Sequence, residues 1–258
     1  MINIVKIGGN IIDNKVALHK FLFDFAFISG PKILVHGGGK IATDIAQSLG
    51  ISQQMIDGRR VTNADTLDVI TMVYGGLINK NVVAVLQSFG CDALGICGVD
   101  GNVMSATKRA VKEIDFGFVG DDLVVNTDII SAWLDEGLTL VVAPITHDRK
   151  GQLLNTNADT IAESLATALY KKEEVQLIYC FDKMGVLEDV DDENSVIEML
   201  NSSNISAMKH EGKIHTGMIP KIDNALKTAK TGVQNVIIGH ASHISSLVEG
   251  VGGTKIKP

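Results

Sequence analysis

Lysine inside an apolar strand is a costly choice, and Lys6 stands in the run "INIVKI", two residues before Gly8-Gly9. An isolated ammonium withdrawn from water is strongly disfavoured. Lys6 therefore either reaches solvent from an edge strand or meets an anion. The same pattern, an apolar run ending in glycine, recurs in "ILVHGGGK" at 33–40 and where "VQLIYCF" runs into "DKMGVL" at 182–187. Glycine is a poor residue for holding chain order. One is enough for a tight strand-to-helix turn. Three in a row point to close approach of the backbone to an anion, which main-chain N–H groups at a helix start can hold. Lys221 follows in the first turn of a helix announced by "HTGMIPK", where an exposed lysine is equally ordinary. "NTNAD" places Asn155 and Asp159 four residues apart at another helix start. Capping explains such residues cheaply, but it does not call for two asparagines and an aspartate together.

Familiar phosphate-binding patterns fit poorly. A Walker A loop is absent, because Lys40 is followed by Ile41. Gly37, Gly39 and Ala42 match G-x-G-x-x-A, with Asp57 where a ribose-binding carboxylate would fall. That keeps a nicotinamide-dependent oxidoreductase open as a rival. However, the dinucleotide turn normally follows the first strand of its unit, and here a strand and a helix precede it. No resident metal site is expected. His240 and His243 lack a third ligand nearby, and "EDVDDEN" at 188–194 lacks the spacing of a calcium loop and reads as a solvated turn.

Strand-like and helix-like patterns alternate along all 258 residues. Strands are predicted at 2–7, 32–36, 92–97, 138–144, 175–181 and 233–239, with "GTKIK" as the last. Helices are predicted at 16–28, 40–49, 65–88 with a break near Gly75-Gly76, 158–169 and 219–230; 102–126 reads as a β-hairpin excursion. In 158–169, Ala158, Ile161, Ala162, Leu165, Ala166 and Leu169 make one helical face. This rhythm predicts an α/β fold, a largely parallel open sheet sandwiched between helices, with ligands bound beyond the carboxyl ends of the strands. The charged stretch 170–174 is the best boundary, giving lobes 1–170 and 171–258. The chain is 45% hydrophobic and carries a formal net charge of −7, which disfavours a broad nucleic-acid surface. It has no run of 18 apolar residues and no signal-peptide pattern, and Cys91, Cys97 and Cys180 suit reduced thiols in a cytoplasmic protein.

Six motifs in order, "VKIGG", "VHGGGK", "GRRVT" (58–62), "NTNAD", "FDKMGVL" (181–187) and "GMIPKI" (217–222), resemble the amino-acid kinase family over nearly the whole chain. The "GRRVT" and "NTNAD" pair is most similar to members that phosphorylate the side-chain carboxylate of an N-acylated glutamate in arginine biosynthesis. Carbamate kinase and glutamate 5-kinase types are alternatives within the family. The resemblance implies that Lys6 and Lys221 are the cations of the phosphoryl-transfer site and that Asp159 holds both. It implies that Gly37, Gly38, Arg60 and Asn155 bind the acyl-amino acid. Gly8, Gly9, Asp182, Lys183, Met184, Gly185, Val186, Leu187, Thr216 and Gly217 would line the ATP site, with Mg²⁺ carried by the nucleotide.

Three positions depart from the family pattern. Phe181 replaces a usual small hydroxyl residue, Thr216 a frequent glycine, and Arg59 a frequent apolar residue. Arg59 beside Arg60 would suit a succinyl chain with its own carboxylate, or would simply face solvent or an interface. Arginine-inhibited relatives carry an extra N-terminal helix that joins dimers into a hexamer. This chain begins with its first strand, so the resemblance implies a homodimer insensitive to arginine. N-terminal residues would supply the acylglutamate site and dimer interface, and the C-terminal lobe the ATP site.

Overall fold

The structure is a computed structural model that describes residues 1–56, 58–189, 191–193, 195–210 and 218–258. Asp57, Thr216 and Gly217, named above, lie outside the described residues.

Eight strands make the central sheet: β1 (Ile2–Ile7), β2 (Lys32–His36), β3 (Ala93–Ile96), β4 (Thr139–Val142), β5 (Val175–Phe181), β6 (Met199–Leu200), β7 (Asn235–His240) and β8 (Thr254–Ile256). Their order across the sheet is β6-β8-β7-β5-β1-β2-β4-β3. All neighbours run parallel except β7 with β8, so β8 and its parallel edge neighbour β6 run against the other six strands, which follow the expected pattern. β1 lies between β5 and β2, so the sheet continues across residue 170 without a break.

Every residue of β1, β2, β4 and β5 is buried, as a parallel sheet covered on both faces requires. Each face has its own core. On one, Ile2, Ile4, Leu177 and Tyr179 pack with Ile161, Leu165 and Ile222 from the helices Ala158–Leu169 and Ile219–Lys230. On the other, Val5, Ile7 and Leu34 pack with Phe21, Phe25, Val73 and Leu86. The two-residue period of a strand therefore puts Lys6 on the face of Ile2 and Ile4, and His36 on the face of Leu34.

The helical region expected to break near Gly75-Gly76 is continuous. It is α-helical over Ala64–Ile70, widens to π-helix over Thr71–Ile78, and is α-helical again over Asn79–Ser88. By length and composition this 25-residue helix is apolar enough to cross a membrane. In this fold Val69, Ile70, Val73, Ile78, Val82 and Leu86 are buried in the core instead. The excursion at 102–126 forms the antiparallel strands Met104–Lys108 and Gly120–Val125 of a second, four-stranded sheet. "GRRVT" lies on a small hairpin, Gln54–Ile56 against Arg59–Val61.

Candidate active site

Parallel pairing fixes where the glycine loops fall. Ile7 is in register with His36 on one side and Cys180 on the other. The Gly8-Gly9 turn thus leaves the sheet between Gly37-Gly38 and Asp182, and all three loops share one edge. Gly8 is the N-cap of the short helix Gly9–Asp13, and Gly38 that of Gly39–Ser48. Gly38 has a φ of 148°, and a Cβ there would lie 2.2 Å from Ile78 Cδ1 and 3.4 Å from the Tyr74 ring. The π-helical widening carries those two side chains onto the loop. Only glycine fits between them.

Lys6 points from β1 toward the start of the helix Ala158–Leu169, where its Nζ meets Asp159 Oδ1 at 2.7 Å. Three residues of "NTNAD" divide the work. Asn157 caps the helix, its Oδ1 accepting from the N–H groups of Asp159 and Thr160. Asn155 donates through Nδ2 to Thr62 Oγ1 at 3.0 Å, which ties the strand Leu153–Asn155 to the "GRRVT" hairpin. The carboxylate of Asp159 is left to pair with the lysine.

Lys221 lies in the first turn of Ile219–Lys230, a helix that has proline at its start, where no N–H is needed. Its Nζ sits 3.7 Å from the centroid of the Phe181 ring, and Lys6 Nζ sits 5.6 Å from the same centroid. Phe181 is buried, stacks parallel to Tyr179, and lies 3.7 Å from where a Gly8 Cβ would be. The electron-rich face of an aromatic ring attracts ammonium groups, so one phenyl ring serves both cations beneath the glycine turn. Burial lowers the Lys221 pKa, and the Lys6 charge lowers it further; Asp159 and Asp182 act in the opposite sense. Asp182 is exposed and accepts from Asn10 Nδ2 at 2.9 Å, so the loops after β1 and β5 are linked directly.

Arg60 is buried and pinned along its fork. Nη2 donates to Gly39 O at 2.8 Å and Thr43 Oγ1 at 2.9 Å, and Nη1 donates to Gln53 Oε1. Its guanidinium thus joins the hairpin to the start of the helix after Gly38. Arg59 is exposed, close enough to Asp121 to help hold that carboxyl below its usual range, where Arg109 has the larger effect.

The remaining expected residues run away from the lysines. Lys183 and Met184 are half-buried, and Gly185 packs tightly against Thr254 and Val196. Val186 N–H donates to Thr254 Oγ1 at 2.8 Å, and Leu187 bridges to Val196. This stretch leads from the end of β5 to β8 and makes a separate wall. Gln53, Thr43, Asn10 and Phe181 were not assigned from sequence. Phe181 carried a signal, a bulky aromatic beside Asp182, without an indication that both ammonium groups would lie against it.

Two ammonium groups, a carboxylate beside them and adjacent glycine turns at the carboxyl edge of a parallel sheet define a phosphoryl-transfer enzyme. The chain belongs to the amino-acid kinase family, whose model, "Amino acid kinase family", matches residues 1–240. It is 52% identical to an acetylglutamate kinase of Cytophaga hutchinsonii over 95% of this chain and 93% of that one. It is 36% identical to an acetylglutamate kinase of Methanopyrus kandleri over 96% of this chain and 98% of that one. Among solved structures, smu.665 from Streptococcus mutans UA159 superposes with a TM-score of 0.78 at 26% identity, covering 99% of this chain and 98% of that one.

Proposed function

We propose that this protein transfers the γ-phosphoryl group of MgATP to the side-chain carboxylate of N-acetyl-L-glutamate, the second step of arginine biosynthesis. The observation that carries this reading is the grouping of Lys6, Lys221 and Asp159 around Phe181, under the Gly8 turn. A glutamate side chain has a pKa of about 4.3, so at neutral pH the nucleophile is already ionised and no general base is needed. One carboxylate oxygen forms the new bond to the γ-phosphorus while the bond to the bridging β,γ-oxygen breaks. ADP takes that electron pair, and an acyl phosphate results. The obstacle is repulsion between two anions, so catalysis is alignment plus positive charge at the attacking and leaving oxygens.

In this reading the lysines and the N–H groups of Gly8 and Gly9 meet the phosphoryl oxygens. Arg60 pairs with the substrate α-carboxylate, which takes over part of the fork that otherwise donates to Gly39, Thr43 and Gln53. Gly37, Gly38 and Asn155 bind the acyl-amino portion, and the wall from Asp182 to Leu187 holds the nucleotide. Residues 1–170 then supply the acylglutamate site and 171–258 the ATP site. The exposure of Arg59 and its place beside Asp121 favour acetyl over succinyl as the acyl group. The test is ADP release with N-acetylglutamate, N-succinylglutamate, free glutamate and carbamate, with the acyl phosphate trapped by hydroxylamine. N-acetylglutamate is expected to give the highest kcat/KM. Turnover of carbamate or free glutamate alone would overturn the assignment.

A cytosolic homodimer completes the reading. Free Cys91, Cys97 and Cys180 suit a reducing compartment. Met72 and Leu77 stand exposed on the long helix Ala64–Ser88, an apolar face suited to a second copy. Light scattering at micromolar concentration should give twice the chain mass, and a monomer would contradict this.

A further inference from the structure

His36, the last residue of β2, is fully buried and plays no part in the reading above. Its Nδ1 lies 2.8 Å from Gly37 O, and its Nε2 lies 3.2 Å from Asn79 Nδ2. A carbonyl oxygen only accepts, so Nδ1 carries the proton; an amide nitrogen only donates, so Nε2 does not. The Asn79 amide is oriented by its other contacts. Nδ2 also donates to Val141 O at 2.9 Å, and Oδ1 accepts from Lys80 Nζ at 3.1 Å; Lys80 donates in turn to Gly95 O at 2.8 Å. Both ring nitrogens are thus used by the neutral ring in a single tautomer. Burial pushes the imidazole pKa down to about 4, and the nearby Lys80 charge acts in the same direction.

The carbonyl held by His36 belongs to the Gly37–Gly38 peptide. That peptide is trans, so its C=O and N–H point in opposite directions. Holding the Gly37 oxygen against the ring turns the Gly38 N–H away from it. Among the described residues that N–H donates to no protein oxygen. Glycine on each side leaves the peptide otherwise free to rotate, because both residues tolerate a wide range of backbone angles. We propose that His36 is a positioning residue: its Nδ1–H, set in that tautomer by Asn79, locks the Gly37–Gly38 peptide with the Gly38 N–H presented to the anion in the site. That the anion is acylglutamate or the transferring phosphoryl group rests on the kinase reading; the lock itself does not.

Asparagine at position 36 places its amide N–H near the position of Nδ1, whereas glutamine places its own near Nε2. His36→Asn is therefore expected to keep kcat/KM for acylglutamate within about 5-fold of wild type, and His36→Gln and His36→Leu to lose about 10²-fold, mainly in kcat, as for a lost oxyanion donor. Glutamine matching or exceeding asparagine, or leucine within about 3-fold of wild type, would overturn the lock, since a purely structural role gives no reason for that ranking. Ring ¹⁵N chemical shifts of the wild-type protein supply a readout independent of turnover. A protonated Nδ1 at neutral pH is expected, and a protonated Nε2 overturns the proposal whatever the variants do. If wild type phosphorylates no acylglutamate, the kinase reading fails, and the ring shifts alone decide the lock.

Discussion

Lys221→Met is expected to lower kcat by about 10²–10³-fold, the range for removing one group that stabilises developing negative charge, while the protein stays folded. Methionine matches the length of the lysine stem, and its thioether packs well against an aromatic ring. The contact with Phe181 is therefore kept and only the charge is removed. An interaction made chiefly in the transition state shows in kcat, with the KM for acylglutamate little changed. Lys6→Met should cost as much in turnover and more in stability. Lys6 pairs with Asp159 at 2.7 Å, and the side chains are only 9% and 16% exposed, so the change leaves a largely buried carboxylate without its cation. Breaking a buried pair from one side costs about 3–5 kcal/mol, and the residual access of water to Asp159 puts this case at the lower end. Steady-state kinetics at saturating MgATP, beside thermal melts, separate the two effects. Turnover within about threefold of wild type in a folded Lys221→Met protein would remove the basis for two fixed cations.

The parts of this site that local pattern encodes were legible before the fold was known. The helix Ala158–Leu169 has the bounds that its apolar spacing predicts, and the all-apolar run Val175–Phe181 is a fully buried strand. Glycine after strand ends marked the loops, and parallel topology gathers those loops at one edge. What was not legible depends on residues distant in sequence. Nothing near Gly75-Gly76 shows that the helix continues; it does so by widening, which brings Tyr74 and Ile78 against Gly38. His36 and Asn79 are 43 residues apart, and their bond exists only once strand and helix pack. "NTNAD" offered two asparagines and an aspartate at a helix start, and which of them caps it, Asn157, shows only in the folded chain. Phe181 stood out only as a departure from the family pattern, because the use of a ring face as a seat for cations requires both lysines in place.

Asp159→Asn is expected to shift the alkaline limb of the pH profile to lower pH and to reduce kcat by about 10–10²-fold on the alkaline side, with a smaller loss on the acid side. The substitution preserves shape. The helix start is held by the Asp159 N–H donating to Asn157, a backbone contact that asparagine retains. What disappears is the negative charge next to Lys6 and within electrostatic reach of Lys221. Burial and the Lys6 charge already lower the Lys221 pKa, and Asp159 is the larger of the two carboxylate influences opposing them, with Asp182 the other. Removing Asp159 tips that balance toward the neutral amine. A lysine whose pKa falls loses its charge at lower pH, so activity is lost first on the alkaline side and returns as the medium is acidified. This differs from a positioning defect, which would depress the profile equally at every pH. Rates of kcat and kcat/KM from pH 6 to 9.5 for wild type and Asp159→Asn distinguish the two. An alkaline limb in the same place for both proteins would mean that Asp159 organises geometry only, and that the mutual repulsion of the lysines is relieved by the phosphates of the bound nucleotide.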